Sequence, residues 1–247
     1  RTLVRARPIS IDPAEFEALA EHAPVLSQES ALRASRPEQL ILRVDRTDPS
    51  KNIVRGFQAL ELLLETHVEL RGRVGMLALV DPSRQGIPEY ERYAEAIDRT
   101  AARVNDRFGA RDWRPIDLRA EDNFPEVVAA YKQYDVLFVN PVFDGMNLVT
   151  KEGPIVNGRD GAVVLSANAG AHEELGPFVE SVNPFDVAGQ AAALHRALTL
   201  PQAERHRRAE GIRRHVREHD VARWIDATLD DLEAARRHSR RRISGGV

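Results

Sequence analysis

The sequence contains no cysteine, which excludes disulfide bonds and thiolate metal sites. No apolar run approaches the roughly 18 residues that a membrane-spanning helix requires. The net charge is only −3, so composition indicates neither nucleic acid nor a membrane surface as a partner. No signal peptide is recognisable, and we therefore expect a cytoplasmic protein. Lysine is scarce, with three residues (Lys51, Lys132, Lys151) against thirty-two arginines.

The hydrophobic content of 43% is sufficient for a large core. Strand-like runs occur at 40–44, 74–80, 116–118, 136–140, 162–166 and 178–182. Helical patterns occur between and after them, at 52–66, 89–108, 124–133, 147–156, 171–175, 190–198, 201–219 and 221–237. This alternation predicts an α/β domain with a doubly wound parallel sheet, in which ligands bind beyond the carboxyl ends of the strands.

The two ends of the chain do not follow this alternation. Residues 1–38 contain four prolines and are predicted to be a crossover segment with one short helix. Residues 39–235 form the predicted Rossmann-like domain with its carboxyl-terminal helices. Residues 236–247 are basic, end in Ser-Gly-Gly-Val, and are predicted to be a flexible tail.

The most informative segment is 144–152, which reads Asp-Gly-Met-Asn-Leu-Val-Thr-Lys-Glu directly after the apolar run 136–139. A strand, a sharp turn and a helix in this order place unpaired N–H groups and the positive end of a helix dipole at the sheet edge. Such a corner binds phosphate. Asp144 and Glu152 add carboxylates, which suit sugar hydroxyls rather than phosphate. The segment is therefore predicted to bind a sugar joined to a diphosphate.

A second segment follows the predicted strand 40–44. The loop Asp45-Arg46-Thr47-Asp48-Pro49-Ser50-Lys51-Asn52 contains turn-forming residues and precedes a helix. Arg46 and Lys51 flank this loop, and two cations there would neutralise a diphosphate leaving group. As alternatives, Arg46 pairs with Asp48, and Lys51 is a solvated residue of the first helical turn.

These two loops resemble trehalose-6-phosphate synthases. Residues 45–51 resemble the Arg-x-Asp-x-x-Lys loop of that family, and residues 144–152 match its donor-binding signature almost letter for letter. Segments 165–171 and 182–186 are also similar, and the resemblance extends from about residue 40 to residue 232. It implies the GT-B fold, two Rossmann-like domains with the active site between them. This chain would be the carboxyl-terminal, nucleotide-sugar domain, without the amino-terminal domain that carries most of the acceptor site.

The resemblance also implies roles for individual residues. Arg46, Lys51 and Asp144 would be catalytic: the two cations would hold the diphosphate, and Asp144 would accept hydrogen bonds from sugar hydroxyls. Glu152 would hold the ribose, and Arg84, in the loop 81–86, would help to bind the phosphate of glucose-6-phosphate. The donor site would comprise Arg46, Lys51, Asp144, Gly145, Met146, Asn147, Leu148, Val149 and Glu152.

The implied reaction is transfer of glucose from a nucleoside diphosphate glucose to glucose-6-phosphate with retention at the anomeric carbon. The cations and the helix end near Asn147 would stabilise charge on the leaving diphosphate. No cofactor or metal is expected. The eight histidines show no metal-ligand spacing, and His215 and His219 are predicted to lie on a solvated helix face.

Two alternatives remain open at this point. Pro49 departs from the common family loop and is similar to cyclitol-coupling pseudo-glycosyltransferases, although Met146 and Lys151 favour the trehalose enzymes. A non-catalytic half that only binds nucleotide sugar is a different class of function. The nucleotide base is not readable from the sequence, and a homo-oligomer remains open.

Overall fold

The computed structural model describes residues 4–84 and 86–244, except for the side chains of 238–244. Six parallel strands form one sheet in the order β3-β2-β1-β4-β5-β6. The strands are β1 (Gln39–Arg46), β2 (Val74–Asp81), β3 (Ile116–Arg119), β4 (Val136–Val139), β5 (Ala162–Ser166) and β6 (Glu180–Val182). This is the doubly wound sheet that the sequence predicted. The strand order reverses between β1 and β4, which places a crevice at their carboxyl ends.

Ten helices are present in the described part of the chain. They are α1 (Pro13–Leu19), α2 (Ala23–Ser35), α3 (Ile53–Thr66), α4 (Pro88–Phe108), α5 (Phe124–Gln133), α6 (Val149–Val156), α7 (His172–Leu175), α8 (Val187–Thr199), α9 (Gln202–Glu218) and α10 (Val221–Ser244). Apart from the two chain ends, the predicted elements begin and end within three residues of these bounds.

Successive strand residues face opposite sides of the sheet and bury two separate cores. Ile41 and Phe138 pack with α3, α4 and α8, whereas Leu42 and Leu137 pack with α2, α5, α6 and α9. Both faces of a parallel sheet are covered in this way, which explains why its strands read as continuous apolar runs. None of the described helices combines the length and apolarity needed to cross a bilayer.

The amino-terminal segment contains two helices, so the prediction of one short helix in 1–38 is wrong. Pro13 lies in the first turn of α1, where the Asp12 side chain accepts from the backbone N–H groups of Ala14 and Glu15. Pro24 likewise lies in the first turn of α2. A proline in a first turn costs no helical hydrogen bond, so these prolines begin helices instead of interrupting them.

The carboxyl-terminal helix α10 includes residues 236–244, which the sequence analysis assigned to a flexible tail. Residues 245–247 of that tail lie outside the described residues. The flexibility of the segment stays a prediction.

Candidate functional site

A cavity of about 270 Å³ lies at the carboxyl ends of β1 and β2, beside the segment that follows β4. Its walls come from four segments: residues 44–51, residues 79–81 at the end of β2, residues 121–131 in and before α5, and residues 147–152. The structure thus brings together Arg46, Lys51, Asn147, Val149 and Glu152, which the sequence analysis placed in one donor site. They meet because parallel strands end at the same edge of the sheet.

The loop after β1 is shaped by a single 3-10 turn at Pro49–Lys51. The Asp48 carboxylate caps this turn by accepting from the Ser50 N–H at 2.9 Å. The turn directs Lys51 towards Asp144, and its Nζ donates to Asp144 Oδ2 at 2.5 Å. These two side chains are only 15% and 16% exposed, so the alternative of a solvated Lys51 is wrong.

Arg46 lies at the end of β1 and is exposed along the wall of the cavity. Among the residues whose side chains the structure describes, its guanidinium has no hydrogen bond and no ion pair. The alternative Arg46–Asp48 pair is absent from this part of the chain, because Asp48 accepts instead from Ser50 and from the Tyr90 hydroxyl. Arg46 therefore presents a charge to the cavity.

The Asp144-Gly145 turn after β4 packs closely on the segment after β5. The Gly170 N–H donates to the Asp144 carbonyl at 3.0 Å, and the Ala171 N–H donates to the Met146 carbonyl at 2.9 Å. A Cβ atom at Gly170 would lie 2.0 Å from the Gly145 carbonyl oxygen. The absence of a side chain at Gly170 is thus required for the turn to approach this closely.

The step from this turn into α6 leaves donors free. Asn147 is buried with φ of 74°, and its side-chain amide donates to Asp144 Oδ2 at 3.2 Å. Because of this left-handed residue, α6 begins at Val149 rather than at the predicted residue 147. Among the described residues, the backbone N–H groups of 147, 148 and 149 have no acceptor. These donors lie at the positive end of the α6 dipole, which favours an anion.

Glu152 lies one turn into α6 and lines the cavity. Its Oε2 accepts from the Tyr131 hydroxyl at 3.0 Å. Burial raises the pKa of Glu152 above its ordinary value of 4.5, and the hydrogen bond from Tyr131 only partly opposes that shift. A half-buried carboxylate held by one bond retains acceptor capacity for hydroxyl groups in the cavity.

Arg84 does not line this cavity. Its backbone is left-handed, with φ of 51°, and its Nη1 donates to the Tyr90 hydroxyl at 2.7 Å. That hydroxyl also contacts Asp48 at 3.2 Å, so the loop after β2 is tied to the loop after β1. Gln85 of the same motif lies outside the described residues. An acceptor role for Arg84 stays a prediction.

Several residues that line the cavity were not predicted from the sequence, and the two that bear on its chemistry most directly are Asp45 and Tyr131. Asp45 is buried beside the guanidinium of Arg43, and burial raises the pKa of its carboxyl although Arg43 and Lys51 oppose the shift. Its position directly before Arg46, at the end of the predicted strand, could have indicated that Asp45 belongs to the site. Tyr131 lies in an apolar helical pattern, which gives no signal. Lys151 is fully buried away from the cavity and bonds to Glu174 and to the Ile9 carbonyl.

The histidines differ in part from the prediction. His215 contacts Glu174 at 3.0 Å and stacks on His219, so a solvated face is wrong for His215. His67, Glu69 and His195 place possible ligand atoms within 4.8 Å of one another. However, the rings of His67 and His195 stack in parallel with centroids 3.7 Å apart. Parallel rings direct their nitrogen lone pairs along separate planes instead of towards one ion.

Comparisons with known proteins identify the family of the chain. The family model described as Glycosyltransferase family 20 matches residues 1–234. A trehalose-6-phosphate synthase of Sinorhizobium fredii is 37% identical over 229 residues, which are 90% of this chain and 49% of that protein. The chain thus spans about half the length of this relative, and 31% of the bifunctional trehalose-6-phosphate synthase/phosphatase of Thermoproteus tenax.

Solved structures show the same fold over the same share of the chain. The alpha,alpha-trehalose-phosphate synthase (UDP-forming) of Burkholderia xenovorans, in complex with glucose-6-phosphate, superposes with a TM-score of 0.84 at 36% identity. The match covers 93% of this chain and 51% of that one. An E. coli structure described as trehalose-6-phosphate bound with UDP-2-fluoro glucose gives a TM-score of 0.85 at 32% identity, covering 92% and 51%.

Proposed function

Because the chain belongs to glycosyltransferase family 20, we propose that it is the donor-binding part of a retaining glucosyltransferase that forms trehalose 6-phosphate. The donor is UDP-glucose and the acceptor is glucose-6-phosphate. The base assignment is supported by the similarity to UDP-forming enzymes and to a structure bound with a UDP sugar. The observation that carries the proposal is the cavity lined by Lys51, Glu152 and the start of α6, beside which Asp144 is held by its ion pair with Lys51.

Lys51 and Asp144 form one unit in this proposal. An ammonium group has three donors, and Asp144 uses one of them. The remaining two can bind the diphosphate while Asp144 accepts from a sugar hydroxyl. The ion pair therefore places a sugar-binding oxygen beside a phosphate-binding cation, as a nucleotide sugar requires.

Departure of the diphosphate places negative charge near Arg46, Lys51 and the start of α6. Preorganised donors of this kind stabilise a developing charge because they need no reorganisation during the reaction. The sugar acquires oxocarbenium character as the leaving group departs. A leaving-group oxygen that remains on the same face can take the acceptor proton, which gives retention without the paired carboxylates of glycosidases.

Glu152 is assigned to the ribose. Its Oε2 is held by Tyr131, and the carboxylate lies on the cavity wall nearest to residues 121–131. A nucleoside attached to the diphosphate would place its ribose between α6 and α5. The base would then contact the wall formed by Leu79 and residues 121–127.

A second domain is part of this proposal, as is the assignment of residues 1–38 to a crossover from it. The Sinorhizobium fredii relative and the Burkholderia xenovorans structure are about twice as long as this chain. The exposed side chains of Ile225, Leu229 and Leu232 give α10 an apolar stripe at helical spacing, which supports packing against such a domain. Arg84, outside the donor cavity, is assigned to the acceptor phosphate at the junction.

Calorimetric titration and thermal unfolding of the 247-residue chain with UDP, UDP-glucose, ADP-glucose and GDP-glucose test the donor assignment. We expect UDP-glucose to bind best and to stabilise the fold by about 2.7 kcal/mol at a hundredfold excess over Kd. Lys51→Ala is the matched variant with a weakened site. The absence of binding by every nucleoside diphosphate would refute the proposal.

A transfer assay with glucose-6-phosphate separates the enzyme from a non-catalytic binding half. The 247 residues alone are expected to give no disaccharide, and a longer protein that adds an acceptor domain is expected to give trehalose 6-phosphate. A nucleotide-activated cyclitol serves as the competing donor, since the Thr47–Asn52 loop resembles cyclitol-coupling relatives. Preferential turnover of the cyclitol would favour that alternative.

A further inference from the structure

Arg43 is a fully buried charged residue beneath the candidate site. It lies in the middle of β1, in the run Leu-Ile-Leu-Arg-Val, and none of its surface is exposed. Its side chain faces α3 and β4, and its guanidinium carbon lies 5.6 Å from the centre of the Phe138 ring. Burying a charge is costly unless it is fully paired, so the contacts of this guanidinium indicate its role.

Its hydrogen bonds converge on the loop that carries Lys51. Nε donates to Asp45 Oδ2 at 2.9 Å, and Nη2 donates to Asn140 Oδ1 at 2.9 Å. Nη2 also donates to the main-chain carbonyl of Lys51 at 3.1 Å. Arg43 thus joins the end of β4 to the residue whose ammonium group contacts Asp144.

The same network fixes the next residue, Asn52. Its backbone is left-handed, with φ of 60°, and its side-chain amide donates to the carbonyls of Asn140 at 3.0 Å and Pro184 at 2.7 Å. Asn140 in turn donates to Gln190 Oε1 at 2.7 Å. The main chain of Lys51 is therefore held by Arg43 of β1, and Asn52 is held by Asn140 after β4, which is itself bonded to Gln190 of α8.

Gly56 supplies the space for the guanidinium. A Cβ atom at Gly56 would lie 2.0 Å from Arg43 Nη1, and its next side-chain neighbour would be Phe138 at 3.3 Å. Nη1 has no hydrogen-bond partner among the described residues. An apolar side chain at residue 43 would avoid this cost only if Asp45 were replaced as well, since Asp45 alone would be an unpaired buried carboxylate. Replacing a whole buried ion pair by apolar groups is often neutral or stabilising, so stability alone does not account for the pair.

We propose that Arg43, seated in the space left by Gly56, is a positioning residue that fixes the main chain of Lys51 and so aims its ammonium group at the donor diphosphate. This inference rests on the proposed function. It assigns a role to a pair of residues that contact neither the sugar nor the nucleotide.

The test measures Kd values for UDP and UMP by calorimetry on the 247-residue chain. Arg43→Met is expected to weaken UDP binding about tenfold, because a hydrogen-bonded charge contact to the terminal phosphate is lost. UMP lacks that phosphate, so its affinity should change less than twofold. A residue that only supported the fold would lower both affinities together.

Gly56→Ala provides a second route to the same loss without removing the charge, and it keeps the test valid if Arg43→Met folds poorly. The added methyl group displaces the guanidinium, so UDP affinity should fall while UMP affinity is retained. Gly158→Ala is the matched control, since the nearest atom to its Cβ lies at 3.9 Å. In the Arg43→Met background, Gly56→Ala should have little further effect on UDP affinity, because no guanidinium remains to be displaced.

Additive losses in the double variant, equal losses for UDP and UMP, or unchanged UDP affinity in both folded single variants would overturn the inference. These outcomes are distinct from failure of the proposed function. If the proposed function itself were wrong, the unmodified chain would bind neither UDP nor UDP-glucose.

Discussion

The substitution Glu152→Gln should have two distinct effects, a loss of nucleotide affinity and a gain in the stability of the ligand-free chain. In the structure, Oε2 accepts from Tyr131 at 3.0 Å, and Oε1 has no hydrogen bond within the described residues. A glutamine can keep the tyrosine bond through its amide oxygen. Its NH2 group would then face the cavity at the place where we propose that a carboxylate oxygen accepts from the ribose hydroxyls.

The loss of charged hydrogen bonds to ribose corresponds to about 1.5–3 kcal/mol, or a rise in Kd of roughly 10- to 150-fold. The assay is calorimetric titration with UDP-glucose and with its 2′-deoxyribose counterpart. The variant should lose much less affinity for the deoxyribose donor, because one of the hydroxyls that Glu152 binds is already missing. Equal losses for the two donors would show that Glu152 does not bind the ribose.

Asp144→Asn is the matched carboxylate control. We expect it to weaken UDP-glucose binding while it leaves the affinity for free UDP nearly unchanged, since Asp144 is assigned to sugar hydroxyls. Glu152→Gln should weaken the binding of both ligands. Both variants should therefore weaken UDP-glucose binding, and only Glu152→Gln should also weaken the binding of free UDP.

The raised pKa of Glu152 predicts that Glu152→Gln stabilises the ligand-free chain. Burial makes the folded carboxyl bind a proton more readily than the unfolded one, whose ordinary pKa is 4.5. Stability contributed by this group therefore falls as the pH rises from 4.5 through the folded pKa. Glutamine carries no charge, so Tm should rise at neutral pH, and the gain should vanish below about pH 4.5. A lower Tm at pH 7 would contradict this account.

Three further substitutions test the remaining contacts, with Gly158→Ala as the control for the glycine change. Lys51→Ala and Arg46→Ala are tested in a longer protein with an acceptor domain. Each should reduce kcat by roughly 100- to 1,000-fold, since each removes a preorganised cation. Near-normal turnover in either variant would exclude the substituted residue from the diphosphate site. Gly170→Ala should destabilise the chain by about 1–3 kcal/mol in urea unfolding, because its Cβ would overlap the Gly145 carbonyl. Gly158→Ala should remain within about 0.5 kcal/mol of the unmodified chain.

Much of the fold followed from local sequence patterns. Apolar runs bounded by turn residues identified all six strands, because a strand buried on both faces has no polar alternation to obscure it. Alternation with helices then predicted the parallel sheet and the edge at which ligands bind. The segment 144–152 indicated an anion-binding corner because a turn followed by a helix start presents donors whatever its distant neighbours are.

Proline was less informative in the amino-terminal segment. The sequence analysis interpreted prolines there as breaks, but Pro13 and Pro24 occupy first turns of helices. The same residue ends a helix or begins one according to where the neighbouring caps lie. The helices α2 and α5 also pack together, and that contact between distant segments is not encoded in local spacing.

The chemistry of the site was decided by residues distant in sequence. Lys51 and Asp144 are 93 positions apart, and only the adjacency of β1 and β4 makes them an ion pair. Tyr131 was hidden in an apolar pattern, and Arg43 in a strand that otherwise reads as core. The sequence by itself determined which local segments form strands, helices and anion-binding turns. The tertiary structure alone decided which buried polar groups meet, because hydrogen-bond partners and burial depend on how those segments pack.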